Sequence, residues 1–486
     1  MRAVAGLVLG GLVLAGCAVG RPAPVAQPTT PGRFAEAFAA GEPDLAAWWR
    51  GFNDPVLDDL VGRTLAANLD IAQAAARVDE ARQQEVVAGA RFKPQVQLAP
   101  SAGRYRISEH AIPLPPGSAP GGGTPSPFGL PGSEFDSFRL EVDAAWELDL
   151  WGGGRAGVRA AAARREAAQW SRRDLQVAMA AETARQYLEL RAAQRRLAIA
   201  GAEADRQHEL LAIVTSRAGA GLVSHQDVEQ QAALARSADA RLQPLAAQAR
   251  ALIHGLGVLV GESPEALISL LAPERGAPAT PPAPPPGLPS QLLQRRPDVR
   301  RAELQAEAAA ADVGVARADL YPQIKLTTAP SLVSTSLSSL LDWGSRSYSL
   351  SAGLLWPVID GGRLKAQLAS ADARQTEALL AYRKTVLVGL QEVEDALSRY
   401  QADSERTVAA VQALAHARAA ESLAGDRQAA GLTDQAPVLQ ARQAVIQAED
   451  EQAQAEAARA DDVVALYRAL GGGWQDQDKA QGRGQG

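Results

Sequence analysis

The sequence predicts an α/β membrane protein: mainly long coiled-coil α-helices plus four transmembrane β-strands per chain, internally duplicated. Three observations carry this expectation. Segments of the two halves match one another at fixed spacings. Two proline-free stretches, Gly153 to Ala218 and Gly362 to Gln435, are each long enough for many helical turns. Strands with polar–apolar alternation precede both stretches, and no apolar run after Cys17 reaches the ~20 residues of a membrane-spanning helix.

The chain has 486 residues, 47% of them apolar but only 5% aromatic, and a formal charge of −6. Alanine dominates the apolar share, which suits thin helices at close approach. No basic footprint of nucleic-acid binding is present. The start reads as a secretory leader: Met1-Arg2, an apolar run from Val4 to Leu14, then Leu14-Ala15-Gly16-Cys17. The last four residues resemble a bacterial lipobox, and Cys17 is the one cysteine of the chain. Residues 1–16 are therefore expected to be removed and Cys17 to carry a covalent lipid, the only modification or cofactor expected. Residues 17–55, proline-rich from Arg21 to Gly32, are expected to form a lipid-anchored tether.

Asp70 to Gln95 aligns with Asp298 to Gln323 at a spacing of 228 residues. Phe138, Leu140, Trp146 and Gly152 align with Tyr348, Leu350, Trp356 and Gly362 at 210. The 18-residue difference falls between Gln95 and Phe138, in a Gly/Pro-rich stretch that reads as a loop. The first repeat is expected over 56–270, with a β-hairpin at about 95–150 and a helical hairpin at about 153–260. A Pro-rich linker, 271–289, leads to the second repeat at 290–470, with a β-hairpin at about 323–359 and a helical hairpin at about 362–470. Residues 471–486 are expected to be a flexible tail.

Leu140, Val142, Trp146 and Leu148 alternate with Arg139, Glu141, Asp143 and Glu147; Tyr348, Leu350, Ala352, Leu354, Trp356 and Val358 keep the same period of two. Four strands are too few to close a barrel, which needs ~8, and open edges cannot stand in hydrocarbon. Several chains must then share one barrel, apolar face to lipid and charged face to water. In the helices, Val386, Leu390, Val393, Leu397 and Tyr400 form a 4-3-4-3 seam, with Gln176, Ala180, Thr183, Tyr187 and Leu190 as a weaker equivalent. Continuous helix from Gly153 to Ala218 would measure roughly 100 Å.

These segments resemble the TolC/OprM family of outer-membrane efflux proteins, in its lipoprotein, NodT-like branch. The resemblance rests on Trp48-Trp49 with Phe52 and Asp54-Pro55, Asn68-Leu69-Asp70-Ile71, Arg295-Arg296-Pro297-Asp298-Val299, Ala316 to Pro322, and Asp360-Gly361-Gly362-Arg363. It covers almost the whole mature length. It implies a homotrimer, with an α-helical barrel in the periplasm and a 12-strand β-barrel in outer-membrane lipid. Two repeats in each of three chains give quasi-sixfold symmetry. The implied function is the exit duct of a tripartite efflux system for small toxic compounds, working with a periplasmic adaptor and a proton-driven inner-membrane pump. A duct for secreted polypeptides and a structural periplasm-spanning lipoprotein are the alternatives.

No nucleophile elbow, phosphate loop or metal-ligand spacing occurs, and no enzymatic activity is expected. Gly152-Gly153-Gly154 reads as a bend between strand and helix, and Glu392, Glu394 and Asp395 as solvated or lumen-facing surface rather than an acid–base pair. The turns Ala220-Gly221-Leu222 and Ala430-Gly431-Leu432 need glycine's left-handed backbone, and by resemblance Gly221, Leu222, Gly431 and Leu432 meet the adaptor. Family members narrow the channel with a Leu, an Asp four residues on and an Arg three further. The matching positions are Ala436, Gln440 and Gln443, all departures from that pattern, and Asp227 near the first tip is the candidate source of negative charge.

Overall fold

A computed structural model describes residues 25–36, 45–108, 134–433 and 435–474. Cys17, most of the Gly/Pro-rich loop and the end of the tail lie outside the described residues. The chain divides into two compact units: Arg82–Arg164 with Ala306–Glu377, and Val25–Ala81 with Arg165–Gln305 and the chain from Ala378 onward.

The first unit holds the sheet. β1 (Gln95–Arg106) and β2 (Glu134–Leu148) pair along the whole of β1, from Gln95 opposite Ala145 to Arg106 opposite Glu134. The other edge of β2 takes β3 (Gln323–Thr328) and then β4 (Ser331–Ser334). β6 (Leu350–Leu355) pairs with β3, and β5 (Arg346–Ser347) with β4. The result is an antiparallel meander of two hairpins with outer edges β1 and β5–β6. Both hairpins share one register. Gln95 faces Ala145 and Gln323 faces Leu355, and these residues are repeat equivalents at 228 and 210. The turn regions differ by the same 18 residues that separate the two spacings.

The second hairpin departs from the expected pair of continuous strands. Pro330 sits opposite Val142 and accepts its amide at 2.9 Å. With no N–H, it returns no bond, so β3 and β4 part there although their register with β2 continues unbroken. The alternation expected through Val358 also outruns the strand, which ends at Leu355 opposite the first residue of β3.

Sequence punctuation sets the helix ends. Asp54 accepts from the amides of Val56 and Leu57 to cap α1 (Pro55–Ala67), with Pro55 at its first position. Asn68 caps α2 (Leu69–Ala90) in the same way. Asp149 accepts from Gly154 and Arg155 at the start of α3 (Gly153–Gly219). α4 (His225–Leu259) completes the first repeat's helical hairpin. In the second repeat, α5 (Pro297–Ala318) has the same 22 residues as α2, and α6 (Arg363–Ala429) the same 67 as α3. Asp360 caps α6, accepting from Gly362 and Leu364, and α7 (Ala436–Ala469) follows. The glycine run at 152–154 is the bend expected: a Cβ at Gly154 would fall 2.4 Å from the Phe92 ring.

The second unit has the principal core. Both seams are buried: Ala180, Thr183, Tyr187 and Leu190 on α3, and Val386, Val393 and Leu397 on α6. The N-terminal segment is more than a tether. Trp48, Trp49 and Phe52 join the core, with Trp48 stacked on Tyr467 at 5.0 Å, because three large aromatics gain more from burial than a spacer needs. The tail is likewise anchored over its first residues. Gly473 donates to the Leu45 carbonyl at 2.8 Å, and Trp474 meets Trp170 edge-on at 5.3 Å.

Candidate functional site

The pleat sorts the sheet by chemistry. Leu98, Val142, Leu140, Leu326, Leu332 and Leu354 project to one face across all four strand rows. Arg139, Glu141, Asp143, Glu147 and Lys325 project to the other, where Arg139 pairs with Glu141 at 2.8 Å. A soluble sheet buries its apolar face, yet Leu98 and Leu354 are exposed here. At the helix-side end, Trp146 donates to the Phe92 carbonyl at 3.0 Å, and its repeat equivalent Trp356 donates to Leu320 at 3.3 Å. Indoles at equivalent positions of the two repeats, with satisfied N–H groups, suit a membrane–water boundary. No described helix is long and apolar enough to cross a membrane.

The two helical hairpins end in identical turns. After α3, Gly221 donates to Ala218 and Leu222 to Arg217, both at 2.9 Å; after α6, Gly431 donates to Gln428 and Leu432 to Arg427, also at 2.9 Å. This double bond pattern is a Schellman motif, and φ is +73° at Gly221 and +68° at Gly431, the left-handed region glycine favours. The residue after the glycine usually packs back on its own helix. Leu222 and Leu432 instead stand 73% and 72% exposed.

The constriction candidates differ in their surroundings. Ala436 opens α7, and Gln440 lies one turn on; both are exposed, and Gln443 is half-buried. Asp227 serves its own helix. Its carboxylate accepts from the Ser224 amide at 2.9 Å and the Ser224 hydroxyl at 2.8 Å, completing a capping box for α4. Among the described residues no group of His, Cys, Asp and Glu is placed to hold a metal. Cys17 lies outside the described residues.

Two charged clusters went unread in the sequence. Arg296, inside the Arg-Arg-Pro-Asp segment, is buried: it grips Asp298 at 3.0 and 2.7 Å, donates to the Ala469 carbonyl at 2.8 Å and pairs with Glu392 at 2.6 Å. Glu394 accepts from the Ala35 amide at 2.7 Å. Glu392 stays exposed, in keeping with the surface reading, and Glu394 is half-buried; each also serves as a structural partner, because folding brings the start of α5 and the N-terminal segment onto their side of α6. Arg191, also buried, holds the linker by donating to Pro273 at 3.1 Å. A cation flanked by Pro and Asp was the available signal for Arg296; Arg191 had none.

A family model described as outer membrane efflux protein matches residues 60–261 and 288–472. The chain is 33% identical over 458 residues to the pyoverdine export outer membrane protein OpmQ of Pseudomonas aeruginosa, covering 93% of this chain and 92% of that one. It is 29% identical to the solvent efflux pump outer membrane protein SrpC of Pseudomonas putida, covering 87% and 86%. Among solved structures, the outer-membrane channel OprN matches with a TM-score of 0.80 at 33% identity, covering 92% of this chain and 100% of that one. VceC of Vibrio cholerae matches with 0.78 at 27% identity, covering 89% and 100%. These likenesses bear out the expected fold class, a trimeric α/β membrane channel of long helices with a few strands per chain. The chain belongs to the outer membrane efflux protein family and is an outer-membrane efflux channel that extends into the periplasm.

Proposed function

We propose that this channel is the passive exit duct of a tripartite pump for small toxic compounds or drugs. An adaptor protein docks on the two hairpin tips, and a proton-driven inner-membrane pump supplies the energy; the chain itself carries out no catalysis. A lipid on Cys17 adds to the hold of the barrel, at about 0.8 kcal/mol per buried CH₂. The α7 face bearing Ala436, Gln440 and Gln443 narrows the periplasmic end, by packing and hydrogen bonding rather than charge. Relatives named for pyoverdine and for solvents favour small compounds over polypeptides.

The exposure of Leu222 and Leu432 at two identical turns carries this reading. An apolar side chain left this exposed contributes little to folding, but it adds contact area for a partner. The double variant Leu222→Ala/Leu432→Ala is expected to keep the trimer and its melting temperature while losing export of a test compound and co-purification with the adaptor. Normal export by that variant refutes docking at the tips.

A further inference from the structure

The apolar face of the sheet ends in a cation that the chain leaves without a counter-ion. Arg346 on β5 lies directly opposite Leu332 on β4, and Leu332 opposite Leu140. Directly opposite residues share a face, so Arg346 stands on the apolar side. The duplication shows what its setting has lost. Spacings of 228 and 210 make Leu332 and Arg346 the equivalents of Arg104 and Asp136, which also lie opposite each other, on β1 and β2. The first hairpin thus sets opposite charges across its strands, and Arg104 also pairs with Glu134 at 3.2 Å. In the second hairpin a cation stands in place of the acid and a leucine in place of the cation. Among the described residues Arg346 has no carboxylate partner, and Asp342, the one acid of the adjoining turn, makes no ion pair with it. Its Nε donates to the Trp343 carbonyl at 2.6 Å, and its guanidinium lies over the Trp343 ring.

Position along the strand fixes what such a cation meets. Trp356 marks the helix-side boundary of the sheet, and Arg346 lies ten residues from it. The ladder runs through that interval, since Ser349 and Ala329 exchange backbone bonds at 2.9 and 3.4 Å. At a rise of ~3.3 Å per residue and a tilt of ~40°, ten residues climb about 25 Å, the height of the apolar band of a membrane barrel. Arg346 and Trp343 therefore reach the opposite boundary. The channel extends into the periplasm at its helical end, so this boundary belongs to the outer leaflet. The turn between β4 and β5 has the composition to match. Leu341 and Trp343 are 79% and 78% exposed. Serine hydroxyls satisfy the turn from within: Ser345 donates to the Ser339 carbonyl, and the hydroxyls of Ser334 and Ser339 meet, each at 2.7 Å.

We propose that Arg346, with Trp343 and Leu341 beside it, binds a phosphate of an outer-leaflet lipid: the phosphorylated, acylated glucosamine headgroup of lipopolysaccharide. The only side-chain hydrogen bond of Arg346 uses Nε, which leaves both Nη groups to grip phosphate oxygens. The Trp343 ring sits where an aromatic side chain is favoured between acyl chain and headgroup, and Leu341 adds apolar contact for the first acyl carbons. The lipid supplies the negative charge that Asp136 and Glu134 supply in the first hairpin. This site is separate from the hairpin tips and from the choice of exported compound.

Native mass spectrometry of the full-length trimer, delipidated in mild detergent, tests the site. The probes are diphosphoryl lipid A, the same lipid stripped of its phosphates, and diphosphoryl lipid A with inorganic phosphate in excess. Wild type is expected to bind one lipid A per chain and to hold the stripped lipid about tenfold more weakly, the factor for one lost charge-assisted contact. Arg346→Gln should bind lipid A as weakly as wild type binds the stripped lipid. Arg104→Gln, which removes an arginine already paired with Glu134, should match wild type. Equal binding of the two lipids by wild type overturns the proposal, and that comparison requires no variant to fold. Full affinity in Arg346→Gln, or a loss confined to Arg104→Gln, overturns it as well. Displacement of lipid A by inorganic phosphate would overturn the lipid assignment, because a bare anion would then suffice.

Discussion

At the scale of single residues, the informative groups are polar ones that the fold has enclosed. Asp462 on α7 is buried with one carboxylate oxygen lacking a partner, and Arg399 approaches the other only to 4.0 Å. Burial first, and then the charge of neighbouring Asp403, push its carboxyl up to about 7. Because the folded value lies above the ordinary ~3.9, the fold binds the extra proton between them. Stability from this site is therefore full below pH ~4 and lost as pH rises through the folded value. Asp462→Asn, which keeps the shape without the charge, should melt above wild type at pH 8, with the difference shrinking at pH 5. A difference independent of pH would show that Asp462 is ionised throughout. Nothing in Asp461-Asp462 told which acid the fold encloses, because that depends on Asp403 arriving from another helix.

At the scale of elements, local chemistry explains most boundaries. Asp54, Asn68 and Asp360 cap helices from within the segments that carry the family resemblance, so those motifs are folding signals rather than reactive groups, and Asp149 caps α3 in the same way. The strands obey the same logic until Pro330, which can accept from Val142 but not donate to it. Pro330→Val restores the missing donor on an interior strand, where a net hydrogen bond contributes about 0.5–1.5 kcal/mol. The variant should raise the temperature at which the folded trimer dissociates on a gel; an unchanged temperature would mean that Val142 already bonds elsewhere.

At the scale of the molecule, the duplication governs assembly. One chain closes neither sheet edge, and hydrocarbon forbids leaving them open. Leu140 faces the apolar side on the middle strand of that sheet, so Leu140→Arg should destabilise the inserted barrel by about 2–4 kcal/mol near mid-bilayer. Heat-induced dissociation of the trimer reads this directly, with Arg139→Leu on the opposite face as the contrast. Equal effects of the two substitutions would contradict a lipid face on the Leu140 side.

The repeat spacings, the alternating strands, the two helical seams and both glycine turns were legible in the sequence, because each is a periodic or local pattern written along the chain. The enclosure of Arg296 and Asp462, the burial of Trp48 in a segment that read as a tether, and the break at Pro330 were not. Each depends on which distant residue arrives opposite: Glu392 and Ala469 for Arg296, Asp403 for Asp462, Tyr467 for Trp48, Val142 for Pro330. Sequence period tells which face a residue occupies. Only the packed chain decides whether that face meets water, a charge or a missing donor, since the energy of a polar group is set by its neighbours in space.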